Sequence, residues 1–582
     1  MPRTSALIAL LACTFPALAA AVDRAASPLL PDGAASEGVQ RLRLDAAAYA
    51  ELEGLRAVRL EGFPLPGLAA PVALHLERFD VLTPAATLLT ASGDAQAPLI
   101  RPDAQLWRGT VAGVEGSYVY LGLSPSGIAG YVGVGDARYI LSSGPAGTLP
   151  PVIYDLAGPA ARRLNIQTPS CAGALPVPGL PAGDADHGPG GYGDRADTCR
   201  AYTIALECDE EFTGLFGGDT DASGAYALFL LGAVSELYQR EMSVTLNVDY
   251  LRLWTAGDPY VANDTLNRLF EFRDLWNATQ GETPRSLAHF LSGGALGGGI
   301  AYLEVVCNPF YGYGLSANLN GSFPYPVVDH SHQNWDLMVV SHELGHNLGS
   351  GHTHDSYDPP IDGCGNPYLN PPLPQDCSNA YEVGSIMSYC HLCPGGLSNM
   401  AMEFGPRVAE RITGYLADNA FCGTASEPPS FVQHPVGATV APGTSIDLAV
   451  EVAGDAPAYQ WLRDSVLLSE TPPYSGTGTP VLTITGATAA VAGSYTAVAY
   501  NDCATVESDP ALLTVGSPCG TPDFDGDGDE GTDADIEAFF SVLSGGVCPT
   551  GTCGTTDFDG DGDEATDSDI EALFRAIAGG PC

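Results

Sequence analysis

The chain has 582 residues, 23 of them basic and 69 acidic, for a formal charge of −46. That length exceeds what a single hydrophobic core serves, so three or four domains are expected. A charge this negative repels nucleic acid and anionic membrane, which excludes nucleic acid as a partner, and it favours bound cations. Residues 1–21 read as a secretory signal peptide: Met-Pro-Arg3, an apolar run from Ala6 to Leu18, and small residues at Ala17-Leu-Ala19. Leu10-Leu-Ala-Cys13 offers an alternative, a lipobox with Cys13 acylated. No later segment approaches the roughly 18 unbroken apolar residues of a membrane span, and Ala227-Leu-Phe-Leu-Leu-Gly-Ala-Val234 suits a buried helix. The expected location is extracellular, secreted or attached to the cell surface.

Residues 22–196 open with short alternating strands such as Gly109-Thr-Val-Ala-Gly-Val-Glu-Gly-Ser-Tyr-Val-Tyr-Leu and hold no catalytic constellation. With Leu76-Glu-Arg-Phe-Asp-Val-Leu-Thr83 this segment resembles the pro-domain of reprolysins, which implies a β-rich pro-domain and a zymogen. The Pro/Gly-rich stretch from Gly173 to Gly193 is then the maturation linker, open to proteolysis. Just before it stands Cys171, in Thr168-Pro-Ser-Cys171-Ala-Gly. As a thiolate it could fill the fourth position of a zinc site and keep the precursor latent, or it could pair with Cys199. The local motif departs from the Cys-Gly that reprolysin pro-domains typically show.

Residues 197–424 read as an α/β catalytic domain. The pattern predicts a strand over 200–206, a helix over 222–240, strands over 243–247 and 251–254, and a helix over 264–276. A Gly-rich lead into Ile300-Ala-Tyr-Leu-Glu-Val-Val306 predicts an exposed edge strand able to pair with an extended peptide. A helix from Asn334 follows, with Leu337, Val340 and Leu344 at core spacing.

That helix carries His342-Glu-Leu-Gly-His346-Asn-Leu-Gly349-Ser-Gly-His352. Imidazoles four apart project from one helical face and can grip one ion, and Glu343 points toward the open coordination position as a general base. Gly349 suits a positive φ that ends the helix and turns the chain so that His352 arrives as third ligand. Gly384-Ser-Ile-Met387-Ser-Tyr389 reads as a Met-turn, with Met387 as the floor of the site. With Cys199-Arg-Ala-Tyr, Val248-Asp-Tyr-Leu-Arg-Leu-Trp254 and Gly298-Gly-Ile-Ala-Tyr302, these motifs resemble the reprolysin (adamalysin-like) metzincins. The resemblance implies a zinc endopeptidase, with His342, His346 and His352 as ligands and Glu343 activating the attacking water. Thr353 departs from the Asp that many adamalysins have there. Tyr389 stands two residues after the Met as in astacins and serralysins, a candidate fifth ligand or oxyanion donor.

The resemblance also implies a Cys307–Cys422 disulfide, and pairing of Cys364 and Cys377 with Cys390 and Cys393 in an order left open. Cys199 and Cys208 cannot join each other across one extended strand, because a bridge needs Cα atoms within about 7 Å. Cys503 has no partner that the sequence names.

Residues 425–516 resemble an immunoglobulin-type sandwich, with Tyr459-Gln-Trp461 on strand C, Leu482-Thr-Ile484 on strand E and Tyr495 at a tyrosine corner. Val450 and Ala497 stand where the usual cysteines would be, and a spacer is the plainer role. Residues 517–582 form a tandem repeat in which Cys519-Gly-Thr-Pro-Asp523-Phe-Asp-Gly-Asp-Gly-Asp-Glu530 recurs from Cys553. Asp523, Asp525, Asp527 and Asp529, and then Asp557, Asp559, Asp561 and Asp563, alternate as in the first half of an EF-hand loop, with Gly528 or Gly562 at the turn. The loops run longer than an EF-hand, so Asp535 and Asp569, or Asp533 and Asp567, close the calcium shell. The repeats resemble dockerin modules, which implies small helices, bound Ca2+ and a cell-surface or cohesin-like docking partner; calcium serving only as a folding staple is the alternative. Equal positions suggest Cys519–Cys548 and Cys553–Cys582, or links between the repeats. Two function classes result: a secreted zinc endopeptidase acting on extracellular proteins, or a calcium-dependent adhesion or scaffold protein with an inactive protease-like domain.

Overall fold

The computed structural model describes residues 24–35, 38–68, 70–135, 137–156, 174–178, 199–325, 334–368, 372–455, 457–464, 466–468, 470–501, 503–515, 520–560 and 563–578. The expectations on residues 1–21 with Cys13, and on Cys171, Cys519, Asp561, Gly562 and Cys582, lie outside them.

Between residues 24 and 155, ten strands form one sheet whose middle is an antiparallel succession through Val72–Phe79, Gln105–Val111, Tyr118–Ser124, Gly127–Val134 and Ala137–Ser142. Side chains alternate between faces along a strand. Val119, Leu121 and Leu123 therefore enter a core of their own with Leu74 and Trp107, while Tyr120 enters the core of the following unit. Both faces of this sheet are buried.

The second sheet carries the site. Its strands are β1 (Leu82–Ser92), β2 (Ala174–Leu175), β3 (Cys199–Cys208), β4 (Val244–Ala256), β5 (Leu287–Leu291), β6 (Gly299–Tyr302) and β7 (Tyr313–Ser316). They lie in the order β2-β6-β7-β5-β3-β4-β1, with Ala95–Pro98 beyond β1. Between β3 and β4 runs helix α1 (Thr220–Met242), started by Asp219, whose carboxylate accepts from the amides of Asp221 and Ala222, and ended by Ser243 at φ 54°. Helix α2 (Thr265–Thr279) is capped likewise by Asp264. Beneath it Glu207 is fully buried but satisfied, accepting from Arg252, Trp254, Tyr260 and Trp276 at 2.6–2.8 Å.

Two sequence expectations change here. The strands at 243–247 and 251–254 are one strand, β4, because it pairs in parallel with β3 from Val244 to Leu253, with a bulge at Asp249 rather than a break. The expected exposed edge is shorter than 300–306 and is not exposed: β6 pairs in parallel with β2, and the amide of Leu303 donates to the carbonyl of Leu175 at 2.9 Å. Ala174–Leu175, within the stretch expected as a linker, is a strand of this sheet.

Residues 424–515 form the expected sandwich. Trp461, Leu448, Leu482, Tyr495 and Leu513 make its core, Val450 and Ala497 are buried in it, and Tyr495 donates to the carbonyl of Val491 at 2.6 Å. At the C-terminus two helices, Asp533–Leu543 and Asp567–Ile577, pack around Phe524, Phe539 and Phe558.

Among the described residues the disulfides are Cys199–Cys503, Cys307–Cys422, Cys364–Cys390, Cys377–Cys393 and Cys548–Cys553, with Cys208 a buried thiol. Cys307–Cys422 is as expected, and the open order is resolved. Three expectations are corrected. Cys199 is joined to Cys503 and so is not the partner of Cys171. Cys548 is not joined to Cys519, nor Cys553 to Cys582, because the turn at Gly551, with φ 79°, folds Cys548 and Cys553 together.

Candidate metal centre

Helix α3 (Trp335–Asn347) is buried along its whole length, including Leu337, Val340 and Leu344, whose spacing predicts a core face. Asp336 in its first turn is buried and accepts from the Tyr226 hydroxyl at 2.7 Å and from the amides of Asn320 and Gly321; burial pushes its pKa up to about 6. At the other end, the Asn347 side-chain amide donates to the carbonyls of Tyr302 and Tyr313, pinning the helix to β6 and β7.

His342, Glu343 and His346 are fully buried on this helix, and His352 is 7% exposed. One ring nitrogen from each of His342, His346 and His352 lies within 4.8 Å of the others, and the Nε2 atoms of His346 and His352 are 3.1 Å apart. A carbonyl only accepts, so Nδ1–H of His342 donates to Ile386 and Nδ1–H of His346 donates to Ser350, both at 2.7 Å. That leaves each Nε2 lone pair facing inward, the tautomer a metal ligand needs. Burial pushes the His342 pKa down to about 4 and those of His346 and His352 well below the usual value. Neutral imidazoles with converging lone pairs, one of them on a buried nitrogen of His342 without a hydrogen-bond partner, fit zinc.

The turn that delivers His352 depends on Gly349, at φ 115°. A Cβ there would also lie 2.7 Å from the Tyr415 side chain. Helix α4 (Pro406–Asn419) brings Arg411 to the same turn, where its Nε donates to the Gly349 carbonyl at 2.9 Å and Nη1 to that of Ser356. Met387 is buried under the helix against Gly345. Thr353, in place of Asp, donates through its amide and its hydroxyl to the Met387 carbonyl, both at 3.2 Å. The segment bearing His352 is thereby tied to the Met-turn.

Tyr389 is fully buried, its ring 5.9 Å from His342 and nearly parallel to it, and 4.3 Å from His352. His354 stacks on His352 at 5.4 Å, and His391 meets Tyr389 edge-on. Sequence reasoning did not single out His354, His391, Arg411 or Gly299. Only His354, in the run after His352, was close enough in the chain to signal itself. Gly299 belongs to β6, and a Cβ there would lie 2.3 Å from Oε1 of Glu343, so the carboxylate rests against the backbone of β6.

Residues 198–398 match Metallo-peptidase family M12. The chain therefore carries a family M12 metallopeptidase domain. Residues 428–501 match the immunoglobulin domain. Snake venom metalloproteinase trimerelysin-2 of Protobothrops flavoviridis is 27% identical over 159 residues, which are 26% of this chain and 73% of that protein. Snake venom metalloproteinase fibrolase of Macrovipera lebetinus is 30% identical over 138 residues, 22% of this chain and 61% of that one. Among solved structures, the tandem Ig repeats of Dlar share 24% identity over 15% of this chain and 47% of that one, with a TM-score of 0.14. The family implies zinc for the metallopeptidase domain. Among the described residues no helix is long and apolar enough to cross a membrane.

In the terminal repeats, carboxylate oxygens of Asp523, Asp525 and Asp535 lie within 4.8 Å of one another, as do those of Asp557, Asp559 and Asp569. Asp527, Asp529 and Asp563, expected as ligands, are not in these groups. Asp533 and Asp567 instead begin the helices, so of the alternatives Asp535 and Asp569 face the loops.

Proposed function

We propose that the chain is an exported zinc endopeptidase that hydrolyses peptide bonds of extracellular proteins, with His342, His346 and His352 as the zinc ligands and Glu343 as the base. The convergence of three inward-facing imidazole nitrogens one helical step from Glu343 carries this reading. Zinc in such a site supplies Lewis-acid polarisation of the scissile carbonyl. Glu343 takes the proton of the attacking water and passes it to the departing amine. Burial of the carboxylate against Gly299 excludes bulk water and fixes its direction. An extended peptide pairs with β6, which orients the scissile bond across the histidines. Tyr389, its ring stacked on His342 and tilted against His352, is the residue we assign to donate to the developing oxyanion.

In the described chain β2 holds that edge, which supports latency until the segment around Ala174–Leu175 is released. The bond of Cys199 to Cys503 removes the competing partner for Cys171 and supports its reading as a thiolate latch. The two three-carboxylate groups of the terminal repeats we assign to calcium.

The test is Glu343→Gln in the processed enzyme with a denatured protein substrate. Zinc content by elemental analysis should be unchanged while cleavage falls by roughly 10²–10⁴-fold. Turnover near that of the parent would overturn the mechanism.

A further inference from the structure

We propose that residues 24–155 are a permanent, non-covalently docked subunit of the protease, which stays on helix α1 after the 157–198 segment is cut. The argument begins with α1. From Ser223 to Tyr238 every residue is buried, and a helix buried on all sides needs cover on all sides. On one side Tyr238 donates to the Ser341 carbonyl of α3 at 2.9 Å and Tyr226 donates to Asp336. The N-terminal sheet covers the opposite side. Tyr120 donates to the Phe229 carbonyl at 2.6 Å, and Tyr131 donates to Glu236, a carboxylate only 5% exposed. The approach is as close as glycine permits. A Cβ on Gly232 would lie 2.7 Å from the Tyr120 hydroxyl, and one on Gly122 would lie 2.6 Å from the Phe229 ring.

The attachment extends beyond side chains. β1 belongs to the N-terminal segment but pairs in parallel with β4 from Val248 to Ala256, so it prolongs the catalytic sheet. At the far end Ser142 donates to the Phe323 carbonyl at 2.6 Å, and Tyr325 donates back to that of Pro150 at 2.7 Å. Leu106, Tyr120, Tyr131 and Ile140 lie in one continuous core with Phe229, Leu230 and Tyr238. Departure would expose that apolar helix and strip an edge from the sheet that carries the site. It would also leave Glu236 with Arg240 as its remaining charged partner. Such a surface matches a core cut in half, the mark of an obligate interface.

The test uses the full chain with residues 183–190 replaced by a recognition sequence for a site-specific protease. Cys171→Ser is included so that no covalent link can join the two fragments. After complete cutting, native size exclusion at micromolar concentration should give one peak containing both fragments, which separate only in urea. α1 amides should keep their hydrogen-exchange protection. Elution of the N-terminal fragment by itself, with the remainder still folded by circular dichroism, would overturn the proposal. So would rapid exchange along α1 with both fragments in one peak, since contact would then persist without docking on that helix. Neither readout uses peptide cleavage, so the outcome is independent of the catalytic assignment.

Discussion

Met387 occupies the space that a side chain at position 345 would take: a Cβ on Gly345 would lie 2.4 Å from its Sδ. Gly345 sits between Glu343 and His346 on α3, so the metal-binding face and the Met-turn touch through a residue with no side chain. Gly345→Ala should raise helix propensity and yet destabilise, because overpacking costs about 1–3 kcal/mol. It should also loosen zinc. Gly345→Ala with Met387→Ala should recover part of the loss, which thermal melts and zinc titration of the single and double variants would show. An additive double variant would mean that the two residues are not coupled.

Gly299 and Glu343 give a sharper kinetic expectation. Gly299→Ala should push the carboxylate away from β6 and lower kcat about tenfold or more, with KM changing less and zinc retained. Steady-state kinetics at saturating substrate would check this. An unchanged kcat would place the Glu343 carboxylate elsewhere.

The Cys199–Cys503 bond ties β3 of the catalytic sheet to the immunoglobulin-type domain, and Gln239 of α1 donates to the Cys503 carbonyl at 2.8 Å. Its sequence separation is 304, and a closed loop of that order contributes about 6 kcal/mol by the chain-entropy estimate. Cys199→Ser with Cys503→Ser should turn one calorimetric transition into two, the sandwich melting apart from the rest. A single unshifted transition would count against that linkage.

Glu507 lines a cavity of about 400 Å³ where the N-terminal sheet, α1 and the sandwich meet, facing His75, Glu77, Arg108, Glu236 and Arg240. Burial raises its pKa from 4.5 to about 7. The folded form therefore holds the proton longer than the unfolded form. The associated stability is complete below about pH 4.5 and is lost as pH rises through 7. Glu507→Gln should melt near the parent at pH 5 and above it at pH 8. Equal differences at both values would refute the assignment.

Asp535 accepts from the amide and hydroxyl of Thr532 and from the amide of Asp525, while its equivalent Asp569 accepts likewise from Thr566 and Asp559. If each closes a calcium shell, titration calorimetry of the full chain should report about two ions. Asp535→Asn or Asp569→Asn should each remove one. Absence of calcium heat in the parent would dismiss the sites.

The sequence by itself determined the elements whose signals are local. HExxHxxGxxH and the Met-turn identified His342, Glu343, His346, His352 and Met387, because helix spacing and a glycine turn are short-range geometry. α1, α2 and α3 were legible from their apolar period, and the Asp caps explain where α1 and α2 begin. The sandwich was legible from Trp461 and the tyrosine corner. Only the tertiary structure decided the rest. It paired Cys199 with Cys503, laid Ala174–Leu175 along β6, and set Gly299 against Glu343 and Arg411 against Gly349. It also showed that residues read as a separable pro-domain share a core and a sheet with the catalytic unit. These are contacts between segments far apart in the chain. A strand's pattern says that a face or edge must be covered, but its partner is chosen by the global packing that buries most apolar surface and leaves fewest polar groups unsatisfied.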